Sequence, residues 1–102
     1  METFGNIIKN KRESKGLLLR QVASALEIDQ AIVSKFERGD RKPTKQQVEK
    51  FANFYDMDKN KLMISWLSDQ IANSIFDEEN IREVLKVAEE KANYLKKNYI
   101  GK

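Results

Sequence analysis

The sequence predicts an all-α protein with five or six helices and no β-strand. Apolar residues recur at intervals of three and four along most of the chain, which is the spacing of one face of a helix. Polar N-cap residues precede these periodic stretches, glycines follow several of them, and the chain contains a single proline. With 102 residues, of which 40% are hydrophobic and 34% charged, the chain can bury one modest core and carry one appended element.

Three short helices make up the predicted N-terminal part, and local signals set their ends. The first is expected over residues 3–14, because a glycine follows its periodic stretch. The second covers residues 19–26. Asp29 is a typical N-cap and Gly39 a typical C-terminal stop, so the third helix is predicted over residues 30–38.

Polar capping signals also open the later helices. Residues 39–43 have the composition of a loop. Thr44 and Gln47 form a capping box, in which each side chain can satisfy an unpaired backbone N–H group at the start of the fourth helix. Asp58 is expected to cap a fifth helix that extends to about residue 74. Residues 77–80 are expected to open a final long helix that reaches about residue 98.

The final predicted helix carries a heptad-like apolar seam. Its members are spaced four, three, four, three and four residues apart: Ile81, Leu85, Ala88, Ala92, Leu95 and Tyr99. About 22 residues at about 1.5 Å each give a rod of about 33 Å, too long to be buried against so small a globule. We therefore predict a domain at 1–67 with a helical extension at 68–102 whose seam makes a homodimer contact. The alternative is that this helix folds back on the fifth helix of the same chain.

Residues 19–38 have the features that a helix-turn-helix requires. Only three residues separate the two helices, and Ala23 is small enough to let them cross closely. Four apolar side chains are predicted to point inward and hold the crossing: Val22, Leu26, Val33 and Phe36. Glutamine pairs with adenine, lysine with guanine, and alanine contacts a thymine methyl group. The outer face of the second helix is therefore predicted to contact bases through Gln30, Ala31, Ser34 and Lys35.

Basic residues follow the predicted recognition helix. We expect four of them to hold DNA phosphates: Arg38, Arg41, Lys42 and Lys45. The formal net charge of +3 resides in the N-terminal half, because residues 1–56 contain 11 Lys and Arg against 8 Asp and Glu, whereas residues 57–102 contain 8 of each. Positive charge beside a helix-turn-helix favours double-stranded DNA as the partner. The alternative interpretation of these side chains is a solvated surface.

The composition argues against an enzyme or a metal protein. The chain has no cysteine and no histidine, which excludes disulfides, the usual zinc sites, and thiol or Ser-His-Asp catalysis. The acidic run at 77–79 is the expected composition of a helix N-terminus. No cofactor, metal ion or small-molecule ligand is therefore expected.

The aromatic residues are expected to pack in the core and not to form a site for base stacking. Four aromatic residues lie at a helical spacing that favours core packing over base stacking: Phe51, Phe54, Tyr55 and Trp66. Neither a secretion signal nor a membrane span is recognisable, so we expect a cytoplasmic protein with no membrane partner.

The run Val-Ser-Lys-Phe-Glu-Arg-Gly at 33–39 follows Gly16-Leu17 and Val22-Ala23, and this pattern closely resembles the phage-repressor and Cro-like (XRE) helix-turn-helix family. The resemblance extends over about residues 4–65. It implies a five-helix lambda-repressor-like DNA-binding domain that acts as a dimer in transcriptional control. It also implies that Arg12 pairs with Glu37, so that these two residues are structural. We accordingly predict a transcriptional repressor that binds a two-half-site operator as a homodimer.

Two positions depart from the family pattern. The family often has Ser or Thr where this chain has Leu18, and a phosphate-binding glutamine where it has Leu19, so the resemblance supplies neither that cap nor that contact. The runs at 17–23 and 28–35 are similar to regulators associated with restriction-modification and DNA methyltransferase genes. The rival function is that of a protein-interaction adaptor or antitoxin, in which the fold no longer binds DNA and acts through its C-terminal helix.

Overall fold

Six α-helices make up the protein in the computed structural model, which describes residues 1–99. They are α1 (Phe4–Ser14), α2 (Leu19–Leu26), α3 (Gln30–Arg38), α4 (Lys45–Tyr55), α5 (Lys59–Ile75) and α6 (Ile81–Tyr99). Residues 1–99 contain no β-strand, so the predicted all-α fold class is confirmed. The last three residues of the predicted extension, 100–102, lie outside the described residues.

Side-chain caps begin α3 and α4 where the sequence predicts them. The Thr44 hydroxyl accepts a hydrogen bond from the Gln47 N–H at 3.2 Å, and the Gln47 side chain accepts one from the Thr44 N–H at 2.9 Å. Asp29 accepts a hydrogen bond from the Ala31 N–H at 2.8 Å, and Gly39 ends α3 with a left-handed φ of 79°. These caps explain why the predicted bounds of α3 and the predicted start of α4 agree with the observed ones.

Residues 1–71 form a compact unit with a single apolar core. The core side chains are Phe4, Ile8, Val22, Ala23, Leu26, Val33, Phe36, Val48, Phe51, Ala52, Tyr55, Leu62 and Met63. The Phe51 ring packs edge-on against Phe4 and Phe36, with ring centroids 6.0 and 6.1 Å apart. Because these three residues belong to α4, α1 and α3, one ring holds three helices together. The predicted core role of the aromatic residues is confirmed, with Phe54 and Trp66 partly buried at the edge.

Close contact between α1 and α3 depends on Gly5. A β-carbon at this position would lie 2.6 Å from the carbonyl oxygens of both Phe36 and Glu37, closer than packed atoms tolerate. Glycine therefore lets the start of α1 lie directly against the C-terminal end of α3. The same end of α1 is held by Asp69 of α5, whose carboxylate accepts a hydrogen bond from the Phe4 N–H at 2.8 Å.

The segment from residue 72 onward is a second compact unit, and α6 is its main element. None of the 19 residues of α6 is buried. The prediction that residues 77–80 belong to this helix is wrong, because they lie in turns before it. The Glu78 N–H donates a hydrogen bond to the carbonyl of Ile75, the last residue of α5, at 3.0 Å. The Val84 N–H of α6 donates a hydrogen bond to the Asn80 carbonyl, just before the helix, at 2.9 Å. The acidic residues therefore precede the helix and do not occupy its first turn.

Candidate nucleic-acid interface

A tight turn at residues 27–29 joins α2 to α3. Glu27 ends α2 in the left-handed conformation, with a φ of 56°, and the Ile28 N–H donates a hydrogen bond to the Ala23 carbonyl at 3.0 Å. Ala23 is buried, and so are the four apolar side chains predicted to hold the crossing: Val22, Leu26, Val33 and Phe36. The helix-turn-helix predicted for residues 19–38 is therefore present.

The outer face of α3 presents the residues predicted to contact bases. Gln30, Ala31 and Lys35 are exposed, and Ser34 is partly exposed. Gln30 and Ala31 occupy the first turn, at the end of a recognition helix that approaches base edges in this fold. Amide, hydroxyl and ammonium groups provide the hydrogen-bond chemistry that distinguishes base pairs in the major groove. The face thus has both the exposure and the chemistry that base reading requires.

A hydrogen-bonded cluster lies at the C-terminal end of this face. The Nε of Arg38 donates to the Asp40 carboxylate at 2.9 Å, and its Nη1 donates to the Ser34 hydroxyl. Because Arg38 and Asp40 are both exposed, their ion pair contributes only about 0–1 kcal/mol. Ser34 and Arg38, predicted to contact bases and phosphates separately, are therefore neighbours in one cluster. Asp40 was not recognised in the sequence as part of the site.

The basic loop after α3 is fastened to the unit through its proline. Pro43 is buried, and its carbonyl accepts a hydrogen bond from the Trp66 indole N–H at 3.0 Å. On either side of Pro43, the predicted phosphate-contacting residues Arg41, Lys42 and Lys45 are exposed. A fixed backbone that carries exposed cations is suited to contact with DNA phosphates. The sequence predicted Trp66 to be a core residue and did not reveal its hydrogen bond to this loop.

A largely buried ion pair joins α1 to α3, as the family resemblance implies. The Nε and Nη2 of Arg12 donate to the Glu37 carboxylate at 2.8 and 3.1 Å, and its Nη1 donates to the Leu17 carbonyl at 2.9 Å. The two side chains are 13% and 5% exposed. The hydrogen bond to Glu37 raises the pKa of Arg12, although burial acts in the opposite direction. Both residues hold α3 against α1 and are not available to DNA.

The charges of Arg12 and Glu37 act on the phenol of Tyr55. Its side chain is buried, and its hydroxyl makes no hydrogen bond to any other described residue. Burial, followed by the negative charge of Glu37, raises the pKa of Tyr55 to about 12. The phenol therefore stays neutral at any pH at which the protein would meet DNA.

The start of α2 departs from the family pattern and is capped in another way. Leu18 has no side-chain acceptor, but its N–H donates a hydrogen bond to the Gln21 side-chain oxygen at 2.8 Å. This is half of a capping box. Leu19 packs against the core and has no polar group to offer a phosphate. Any DNA contact at this end of α2 would have to come from groups other than the side chains of Leu18 and Leu19.

The predicted seam of α6 is exposed within the second unit. Its two leucines, Leu85 and Leu95, are 42% and 49% exposed. Ile81, Ala88 and Ala92 are also exposed. An amphipathic helix with its apolar stripe uncovered is typical of an element that binds a partner.

Neither a metal site nor a membrane span is found in residues 1–99. No group of three or more acidic side chains there could hold a metal ion, and the run at 77–79 does not form one. None of the helices described above has the length and apolar composition needed to cross a bilayer.

A comparison with known protein families matches the part of the chain that contains the helix-turn-helix. A family model described as helix-turn-helix matches residues 8–62, just over half of the sequence. The matched stretch begins within α1 and ends within α5, so it includes α2, α3 and the basic loop. No curated protein and no solved structure matches the chain significantly.

Proposed function

The chain belongs to the XRE-type helix-turn-helix family of DNA-binding regulators, and we propose that it is a sequence-specific transcriptional repressor that acts in the cytoplasm. In this proposal, a homodimer binds an operator of two half-sites whose centres are about 34 Å apart. The observation that carries the proposal is the polar outer face of α3, exposed beside a fixed basic loop. An association of this regulator with restriction-modification genes remains a prediction from the sequence runs quoted above.

Base reading is assigned to Gln30, Ala31, Ser34 and Lys35. A lysine that donates to guanine contributes about 1–3 kcal/mol of discrimination. Lys35→Ala should therefore weaken binding to the preferred duplex by about ten- to a hundredfold and relax base preference. Fluorescence anisotropy against duplexes that the wild-type protein selects from genomic fragments measures this effect, with Lys61→Ala on α5 as the control. An unchanged base preference in the Lys35 variant would remove its assigned role.

Phosphate binding is assigned to Arg38, Arg41, Lys42 and Lys45. Lys42→Ala should weaken binding to all duplexes by a similar factor, because a phosphate contact carries no base information. It should also reduce the slope of log affinity against log salt by about one. Titrations of one preferred and one scrambled duplex at several salt concentrations give both numbers. A sequence-dependent loss would place Lys42 among the base readers instead.

The homodimer contact is assigned to the seam Ile81, Leu85, Ala88, Ala92 and Leu95. Leu85→Glu with Leu95→Glu would place carboxylates within an apolar contact and should lower the association constant at least about tenfold. Sedimentation velocity measures the mass, and Asn93→Glu on the polar face of α6 is the matched control. Unchanged dimerisation in the double variant would show that α6 is not the contact.

A second candidate function, that of a protein-interaction adaptor or antitoxin, is favoured by the exposed seam of α6. The two functions differ in how the protein responds to DNA and salt. Binding that is selective for sequence and falls steeply between two salt concentrations supports the repressor. Weak binding with little dependence on sequence or salt supports the adaptor.

A further inference from the structure

One negative charge lies within the basic stretch at the end of α3. Residues 38–45 contain the four cationic side chains assigned to DNA phosphates and a single acidic residue, Asp40. A carboxylate close to a strand of phosphates is repelled by it, so this charge opposes the contact that its neighbours favour.

The backbone at the end of α3 holds Asp40 beside Arg38. Gly39 has a left-handed φ of 79° and turns the chain back along the helix. The Asp40 N–H then donates a hydrogen bond to the Lys35 carbonyl at 2.9 Å, and the Gly39 N–H donates one to the Phe36 carbonyl at 3.2 Å. These two bonds are those of a Schellman motif. The position of Asp40 is therefore set by the end of the helix and not by a freely moving loop.

The Asp40 carboxylate provides Arg38 with the kind of partner that a phosphate would be. It accepts a hydrogen bond from the Arg38 Nε at 2.9 Å, a distance typical of charge-assisted bonds between a guanidinium and an anionic oxygen. The side chains of Arg38 and Asp40 are 55% and 59% exposed. The pair thus lies open to solvent on the recognition face, where Arg38 also donates to the Ser34 hydroxyl.

We propose that Asp40 competes with DNA phosphates for Arg38 and thereby lowers the affinity of the protein for every duplex. This inference rests on the proposed function and deepens it. Arg38 exchanges one anionic partner for another when it binds a phosphate, so only the difference between the two contacts adds to affinity. Because a phosphate contact carries no base information, the reduction is the same on operator and non-operator DNA. Encounters with non-operator DNA are shortened accordingly, since differences in affinity act mainly on dissociation.

Asp40→Asn tests the competition, because it removes the charge and keeps the size of the side chain. It should raise the affinity for a preferred and a scrambled duplex alike, by about two- to fivefold, as expected for the loss of an exposed ion pair. The slope of log affinity against log salt should steepen by up to about one, because the freed Arg38 can neutralise a further phosphate. Fluorescence anisotropy titrations at several salt concentrations measure both quantities.

Asp56→Asn is the matched control. It removes the same charge from an exposed residue at the far end of α4, and asparagine tolerates its left-handed φ of 54°. The 11 residues of α4 separate this position from the basic loop by about 16 Å, about twice the screening length at physiological salt. Asp56→Asn should therefore leave affinity and salt slope close to those of the wild type.

A double-mutant cycle shows whether Asp40 acts through Arg38. In an Arg38→Gln background, Asp40→Asn should raise affinity no more than Asp56→Asn does. The inference is overturned if Asp40→Asn matches the control in the wild-type background. It is also overturned if the full gain persists without Arg38, because Asp40 would then act by general repulsion of DNA.

Elution from heparin, a sulfated polyanion without bases, gives a readout that does not depend on DNA recognition. Asp40→Asn should elute at a higher salt concentration than Asp56→Asn, and this difference should disappear in the Arg38→Gln background. If the wild-type protein binds no duplex, the proposed function fails, while the heparin experiment still decides whether Asp40 competes with an external anion. Identical elution of Asp40→Asn and Asp56→Asn would refute the competition.

Discussion

The unit at residues 1–71 and the segment from residue 72 onward use the same helical spacing of apolar residues, but only the first unit buries them. Thirteen apolar side chains are buried in the first unit, whereas α6 has no buried residue. Leu62 and Leu85 represent the two cases, at 2% and 42% exposed. The spacing of apolar residues therefore predicts a helix and its apolar face, but it does not reveal which surface covers that face.

Removal of the ion pair between Arg12 and Glu37 should destabilise the first unit and produce the largest loss of unfolding free energy. Arg12→Ala leaves the Glu37 carboxylate buried without its partner, which should cost about 3–5 kcal/mol of unfolding free energy. For a unit of this size the melting temperature should fall by about 15 °C or more. Thermal unfolding followed by circular dichroism measures the change.

The exposed ion pair between Glu49 and Lys59 provides the control for that experiment. The Lys59 Nζ and the Glu49 carboxylate are 2.8 Å apart, but their side chains are 55% and 36% exposed. Glu49→Ala should change the unfolding free energy by no more than about 0.5 kcal/mol. Equal losses in the Arg12 and Glu49 variants would contradict the structural role assigned to the buried pair.

A leucine-to-alanine substitution in each unit tests whether their apolar faces differ in burial. Leu62→Ala removes a core side chain and should cost about 2–5 kcal/mol in chemical denaturation. Leu85→Ala should leave the unfolding of the first unit within about 0.5 kcal/mol of the wild type and weaken only self-association. If both variants lost the same unfolding free energy, Leu85 would have to be buried in the native chain.

Alkaline pH should also lower the stability of the first unit, through Tyr55. The pKa of Tyr55 is raised to about 12 in the folded protein, whereas an unfolded tyrosine has a pKa of about 10. The unfolded state therefore releases its proton first, and stability falls as the pH rises from about 10 to about 12. The loss should be on the order of 2–3 kcal/mol. Tyr55→Phe should flatten this part of the stability profile, whereas Tyr94→Phe, an exposed change on α6, should leave it unchanged.

Local signals allowed much of the fold to be predicted from the sequence. The bounds of α3 follow from Asp29 and Gly39, and its crossing with α2 follows from the period of the apolar residues. The family resemblance supplied the Arg12–Glu37 pair. The predicted start of α6 failed because acidic residues at 77–79 favour both a helix N-terminus and a turn that precedes one.

Contacts between distant residues could not be predicted in this way. Gly5 looked like an ordinary position, because the carbonyl oxygens it lies against come from α3, more than 30 residues later in the chain. The bond from Trp66 to Pro43 and the cluster of Ser34, Arg38 and Asp40 likewise depend on where side chains meet in space. The assigned DNA and dimer contacts remain predictions, to be tested by the variants described above.

The hydrogen bond from the Trp66 indole to Pro43 has a consequence for the thermodynamics of DNA binding. Fixing the backbone of one residue costs about 1–2 kcal/mol of conformational free energy. A loop that became ordered only on meeting a phosphate strand would subtract this cost from the affinity for every residue involved. Here Pro43 is already anchored from α5, so much of the ordering takes place when the protein folds. Association with DNA should then require mainly the immobilisation of the lysine and arginine side chains, with a correspondingly smaller entropic penalty.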